Sequence, residues 1–319
     1  MTAPAPAPAA PGPLKRWVLG ARPRTLPAAV VPVLVGTAAA HPRYGSGIPA
    51  VSLVWLRAVA ALVVALAIQV GTNYANDYSD GIRGTDDARV GPVRLVATGL
   101  ASPGSVKRAA LGAFGVAGLV GLWLAAVTSW WVLLVGAACL AAGWFYTGGP
   151  RPYGYAGFGE LFVFVFFGLV ATEGTFYVQT GRLGGGVVLA AAVAVGLLAT
   201  ALLLANNLRD IETDRQSGKR TLAARIGRVP AGRCYVTTVA LPFVLAAVWA
   251  VLALTGSVAG HQPAVTLLPL LALPLAVAPV RVVRSDAVGR ALLPVLAATG
   301  QLQLVFGVLL SVALCWWIW

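Results

Sequence analysis

Nine long apolar runs, separated by short clusters of charge or turn residues, dominate this chain. They fall near 24–41, 52–74, 106–127, 130–147, 159–180, 185–208, 231–255, 262–282 and 290–317. A bilayer-spanning helix needs about 20 predominantly apolar residues. In lipid every backbone N–H and C=O must be satisfied within its own segment, which leaves helices or closed barrels. Runs of this length predict an all-α, polytopic membrane bundle of about nine transmembrane helices enclosing a cavity. Only 10% of the residues are charged, against about 25% in a soluble domain, so a soluble fold is excluded.

The net charge of +13 has a topological reading. Assigning alternate connections to alternate sides puts 20 of the 23 Lys and Arg on one side, leaving Arg43, Arg57 and Arg182 on the other. Basic loops stay in the cytoplasm. A cell-membrane protein is therefore expected with its N-terminus in the cytoplasm and its C-terminus outside, and with Trp130, Trp131, Trp316, Trp317 and Trp319 at outer helix ends. The basic residues interrupt apolar segments rather than forming a surface, so nucleic acid is not a partner. Cys139, Cys234 and Cys315 are far apart and read as apolar fillers. Residues 1–13 form a Pro/Ala tail that lacks the plan of a signal peptide and is expected to be disordered, and 14–319 make one membrane domain.

Against this background, seven of the 10 acidic residues crowd into two stretches. The first runs from Asn73 through Asp77, Asp80 and Arg83 to Asp86 and Asp87. The second runs from Asn206 through Arg209, Asp210, Glu212 and Asp214 to Lys219 and Arg220. They begin 133 positions apart and share the cytoplasmic side. Carboxylates at membrane helix ends are expensive without a cationic partner. The spacings Asn73, Asp77, Asp80 and Asn206, Asp210, Asp214 each put three oxygen-bearing side chains on one helix face. Oxygen donors without His or Cys suit a hard cation such as Mg²⁺, which bridges carboxylates to substrate phosphate. Arg83, Arg94, Arg209, Lys219 and Arg220 stand ready to neutralise a diphosphate. A plain solvated salt-bridge cluster would explain one stretch; two on one side point to a metal–diphosphate site with the motif-bearing helices facing each other.

The run near 159–180 supplies Phe162, Phe164, Phe166, Phe167, Phe176 and Tyr177, an apolar lining for a lipid chain and a set of ring faces for a developing cation. Glu173 lies inside that run and needs a partner or a wet cavity. Glu160 opens it, where a carboxylate also suits the helix dipole. His41 and His261 take no role.

These residues resemble the UbiA superfamily of intramembrane prenyltransferases. The resemblance rests on Asn-x3-Asp-x2-Asp and Asn-x3-Asp-x3-Asp on a nine-span bundle. Further strings are similar to the branch acting on 1,4-dihydroxy-2-naphthoate in menaquinone synthesis: Arg22-Pro-Arg24-Thr-Leu-Pro27, Asn76-Asp77-Tyr-Ser-Asp80-Gly, Gly91-Pro-Val-Arg94, Tyr146-Thr-Gly-Gly-Pro150-Arg-Pro-Tyr153-Gly-Tyr, Gly159-Glu160, Asn206-Asn207-Leu-Arg209-Asp210 and Gly218-Lys219-Arg220-Thr. The first motif places its second carboxylate at Asp80, followed by Gly81, one position short of the superfamily's commonest spacing. That shorter spacing is also a habit of the menaquinone branch. The likeness covers roughly residues 15–315.

The resemblance implies Mg²⁺ held by Asp77, Asp80, Asp210 and Asp214, helped by Asn73 and Asn206. It implies transfer of the polyprenyl group of a polyprenyl diphosphate to the naphthoate, with loss of CO₂ and diphosphate, giving demethylmenaquinol. Arg94, Lys219 and Arg220 would bind phosphate; Arg22, Tyr146, Tyr153 and Glu160 would shape the acceptor pocket. Rival readings are a prenyltransferase with a hydroxybenzoate, haem or chlorophyll-precursor acceptor, and an ion-coupled transporter. A CDP-alcohol phosphotransferase is disfavoured, because Asp80-Gly81 is followed by Ile82-Arg83 and Asn206 stands where that motif needs Gly.

Overall fold

The computed structural model describes residues 11–41, 51–85, 93–257 and 263–316. Asp86, Asp87, Arg89, Arg43, His261, Trp317 and Trp319 lie outside the described residues, as does most of the expected N-terminal tail.

The described residues form helices and no strands. A short helix α1 (Pro13–Gly20) and a 3₁₀ turn (Pro23–Thr25) lead into α2 (Pro27–Ala40). The bundle continues with α3 (Val51–Ile82), α4 (Pro103–Val127), α5 (Trp131–Phe145), α6 (Gly159–Thr180) and α7 (Gly186–Gln216). After a one-turn helix α8 (Leu222–Ile226) come α9 (Arg228–Leu254), α10 (Ala264–Arg284) and α11 (Gly289–Cys315). Seven of these helices are long and apolar enough to cross a membrane. The pair around Arg22–Leu26, bent by 55°, makes an eighth if taken as one span, and α5, at 15 residues, is the short ninth.

Helix starts follow local chemistry. Pro103 and Pro27 occupy first helical positions, where a missing N–H costs nothing. Ser102 caps α4 by accepting the Ser105 N–H at 3.3 Å, and Thr221 caps α8. Both acid-bearing helices run beyond their apolar cores, so Asp77 and Asp80 sit near the end of α3 and Asp210, Glu212 and Asp214 near the end of α7. Gly84 and Gly218, in left-handed conformations (φ +67° and +76°), then turn the chain.

Helix α7 is central: 67% of its most apolar window is buried. The largest core cluster joins α2, α7, α9 and α11, with Tyr235, Phe306, Leu198 and Leu302 wholly enclosed. A smaller cluster of Tyr74, Leu95, Val106 and Phe114 fastens the 93–101 loop to α3 and α4. Helices α6 and α7 cross in backbone contact: a Cβ on Gly168 would stand 2.5 Å from the Gly196 Cα. That crossing lies within a π turn (Phe164–Val170) interrupting α6, a feature often found beside functional sites.

Candidate active site

Two joined cavities occupy the bundle. The smaller, about 400 Å³, lies at the motif-bearing end; Asp80, Arg94, Tyr155, Asp210, Asp214 and Lys219 contribute to its wall. The larger, about 990 Å³, runs among α2–α7 and is lined mainly by apolar side chains. Arg22, Thr25, Asn76, Tyr146 and Asn206 face both, and so form the neck between them.

Asp80 is the junction of the polar chamber. Only 2% exposed, it takes Arg94 Nη2 at 3.3 Å and Lys219 Nζ at 3.1 Å on Oδ2, while the Tyr155 hydroxyl donates to Oδ1. Burial pushes the Tyr155 phenol up, and the adjacent Asp80 carboxylate raises it further, so Tyr155 stays a donor. Lys219 also lies over the Tyr155 ring, 5.0 Å from its centroid. The turn at Gly218 places this lysine: its backbone N–H donates to the Asp214 carbonyl at 2.8 Å. Asp214 accepts the Thr221 hydroxyl at 3.1 Å, and Arg209 grips Asp210 with two bonds of 2.6 and 2.7 Å.

The two acidic stretches therefore meet across one chamber, but several residues depart from their expected places. Spacing alone allows Asn73, Asp77 and Asp80 on one face; the structure instead aligns Gln69, Asn73, Asn76 and Asp80 along the cavities. Asp77 faces neither cavity. Wholly buried, it accepts the backbone N–H groups of Leu95 at 2.7 Å and Val96 at 3.1 Å, fastening the loop that carries Arg94. Asn73 faces the larger cavity, where its amide nitrogen donates to the Ala21 carbonyl and Thr25 Oγ1. Arg83 points to the carbonyls of Thr147 and Gly149, bracing the connection after α5. Arg209 is shut behind Asp210, and exposed Arg220 lies outside the chamber.

On the acceptor side, Arg22 and Tyr146 stand in the neck. Arg22 adopts φ +54°, a left-handed conformation unusual for a non-glycine residue. Tyr153 lines the larger cavity, donates to the Ala142 carbonyl and stacks on Phe162 with centroids 4.0 Å apart. Glu160 is buried behind the neck, where it accepts the Asn207 amide at 2.9 Å. Phe162, Phe166, Phe167 and Tyr177 line the larger cavity; Phe176 is sealed in the core, and Phe164 does not reach the cavity. Glu173 holds the Gly184 N–H at 2.8 Å at the far end of the larger cavity.

Asn76, Thr147, Tyr155 and Thr221 line the polar chamber although the sequence assigns them no role. Asn76 was accessible from its four-residue step to Asp80. Tyr155 and Thr221 act through loop folding, which no periodicity reports.

The donor set fits a hard cation: Asp80, Asp210, Asp214, Asn76 and Asn206 all line the polar chamber and offer oxygen. No three carboxylates form a closed metal cage among the described residues. Mg²⁺ does not require one, since it keeps waters and shares its remaining positions with substrate phosphate.

A polar chamber carrying Arg94 and Lys219 that borders an apolar cavity within a bundle of membrane-length helices suits a membrane-embedded enzyme for amphiphilic substrates. The chain belongs to the UbiA prenyltransferase family, whose pattern matches residues 29–292. It is 50% identical over 299 residues to the 1,4-dihydroxy-2-naphthoate octaprenyltransferase of Mycobacterium tuberculosis, covering 94% of this chain and 96% of that relative. The Escherichia coli enzyme of the same name is 41% identical over 224 residues, covering 68% of this chain and 70% of its own. Among solved structures, a UbiA homolog from Archaeoglobus fulgidus bound to GPP and Mg²⁺ superposes with a TM-score of 0.62 at 18% identity, covering 94% of this chain and 99% of that one. That likeness concerns the fold.

Proposed function

We propose that this protein transfers a polyprenyl group from a polyprenyl diphosphate to 1,4-dihydroxy-2-naphthoate, releasing diphosphate and CO₂ and leaving demethylmenaquinol. The observation that carries this reading is the five-residue neck joining a cationic chamber to an apolar one. A polar side and an apolar side meeting at shared residues support a diphosphate head in one cavity and a lipid tail in the other. The half-identical relative of nearly equal length supports the naphthoate as acceptor.

The diphosphate lies in the small chamber. Arg94 and Lys219 neutralise it and stabilise the negative charge that grows on the leaving oxygen. Asp80, Asp210 and Asp214, with Asn76 and Asn206, would hold Mg²⁺, which supplies Lewis-acid stabilisation of the leaving diphosphate. Asp77 supports this arrangement at one remove, through the Arg94 loop. The prenyl chain fills the larger cavity, and its C1 carbon lies in the neck. Tyr146, Tyr153 and Phe162 offer ring faces to the allylic cation as the C1–O bond breaks. The bundle keeps water from that cation.

Arg22 pairs with the acceptor carboxylate. The ring carbon bearing that carboxylate attacks C1. The C–CO₂ bond then breaks, its electron pair returns to the ring, and aromaticity is restored without removal of a ring proton. Glu160 orients the neck through Asn207 rather than acting as a base. The charge bias of the connections supports a cell-membrane protein with the polar chamber and N-terminus on the cytoplasmic side and the C-terminus outside.

The test is turnover by purified protein in detergent with Mg²⁺, a long prenyl diphosphate and either the naphthoate or 4-hydroxybenzoate. A lipid-soluble product from the naphthoate alone is expected. Product only from the benzoate would overturn the acceptor assignment.

A further inference from the structure

Asn207 turns an unpaired oxygen toward the polar chamber, and a buried carboxylate fixes it that way round. Asn207 lies on α7 at 8% exposure and lines the polar chamber, not the larger cavity. Its Nδ2 donates to Glu160 Oε1 at 2.9 Å. Its Oδ1 makes no hydrogen bond among the described residues, yet it is not sealed inside the protein. The surface that this oxygen keeps open belongs to the chamber wall.

Glu160 opens α6 and lines neither cavity. It approaches α7 closely because Gly159 precedes it, where a Cβ would stand 3.3 Å from Leu203 Cδ2. Its Oε2 is buried without a hydrogen-bond partner, so nothing there holds a carboxyl proton and Oε1 is left to accept. A carboxylate accepts and does not donate, whereas an amide does both. Opposite Glu160, Asn207 can present only its nitrogen, and its oxygen must face the chamber. The chamber's occupants decide what that oxygen meets. An ionised diphosphate offers acceptors alone, so a carbonyl oxygen turned toward it needs a cation between them. Asn207 stands three residues before Asp210 and seven before Asp214, which puts all three on one face of α7. All three line the chamber, and oxygen donors grouped in this way suit a hard cation.

We propose that Glu160 is a positioning residue: through Asn207 Nδ2 it aims Asn207 Oδ1 at the divalent cation held beside Asp210 and Asp214. The inference rests on the metal–diphosphate reading above and adds Asn207 to the oxygen donors named there. It also gives the buried carboxylate a task that requires no contact with either substrate. Groups standing behind metal ligands commonly fix their orientation in this way.

The test is Mn²⁺ binding by the purified full chain in detergent, read as loss of the paramagnetic resonance signal of the free ion, with the melting temperature measured beside it. Glu160→Gln keeps the shape of the side chain but lets the Asn207 amide turn either way, and should weaken Mn²⁺ binding about 10-fold. Asn207→Ala should weaken it by about 10-fold or more. The double variant should match Asn207→Ala alone within about twofold, because Glu160 acts on the metal only through Asn207. A Glu160→Gln protein that melts lower but binds Mn²⁺ as the wild type does would overturn the proposal and leave Glu160 as a brace between α6 and α7. Independent losses that multiply in the double variant would overturn it too. So would unchanged Mn²⁺ binding by Asn207→Ala with a raised KM for the ring acid, which would give the oxygen to an acceptor hydroxyl. Failure of the wild type to bind Mn²⁺ would instead overturn the underlying metal reading.

Discussion

Lys219 Nζ stands 3.1 Å from Asp80 Oδ2, joining residues 139 positions apart and closing the polar chamber from both halves of the chain. Both side chains are nearly excluded from bulk water, at 8% and 2% exposure, so the pair is not a screened surface bridge. The lysine is thereby poised beside the carboxylate expected to hold the metal, where the diphosphate also arrives. Lys219→Ala should raise the KM for prenyl diphosphate by 10-fold or more (about 1.4 kcal/mol per factor of ten) and leave that for the naphthoate within about twofold. Steady-state kinetics with each substrate varied in turn would decide; equal effects on both would remove Lys219 from the diphosphate site.

Asp77 and Asp210 should respond differently to the same change. Asp77 holds two buried backbone N–H groups, so Asp77→Ala should destabilise the protein by about 2 kcal/mol and loosen the Arg94 loop. Asp210 lines the chamber itself. Asp210→Asn should lose at least about 100-fold in kcat while still folded, although it also removes the charge partner of buried Arg209 and so lowers the melting temperature. Thermal unfolding in detergent beside turnover separates them, and an Asp77→Ala protein as stable as wild type would contradict the loop-fastening role.

Removal of divalent metal should abolish product formation, and addition of Mg²⁺ should restore it. The donor set is all oxygen, so Mn²⁺ should substitute in part. Undiminished turnover in excess EDTA would contradict the assignment of the carboxylates.

Tyr155 gives a pH signature. Its phenol is raised in the folded state by burial and by Asp80. A raised value means that ionisation opposes folding: the stabilisation is complete below the ordinary phenol value of about 10 and is lost only as pH climbs through the higher folded value. Tyr155→Phe should therefore lower stability by about 1 kcal/mol, with a gap to wild type that stays constant from neutral pH to about 10. A gap that closes between pH 7 and 9 would mean that the phenol ionises there and does not donate to Asp80.

The bundle was legible in the sequence because lipid imposes length and hydrophobicity on every span, and the nine runs all became helices. The two acidic stretches were legible as a pair for the same reason: charge is rare enough in this chain to stand out. The register of the first stretch was not. Asn73 lies in helical step with both Asn76 and Asp77, and only the packing of the 93–101 loop against α3 shows that Asp77 turns to Leu95 and Val96 while Asn76 faces the chamber. The arginines misled in a related way. Arg83 and Arg209 have the charge a diphosphate wants, but a loop carbonyl and the neighbouring carboxylate claim them first. The π turn in α6 left no mark on the apolar pattern, because a one-residue slip among Phe, Val and Leu changes no polarity.

The most direct measurement is the fate of a label in the acceptor carboxylate. Purified protein would be given carboxyl-labelled 1,4-dihydroxy-2-naphthoate, unlabelled polyprenyl diphosphate and Mg²⁺, with CO₂, diphosphate and lipid product counted together. Attack at the carboxylate-bearing carbon predicts one labelled CO₂ and one diphosphate for each prenylated quinol, and no label in the lipid. Labelled carboxylate retained in a prenylated product would contradict the account.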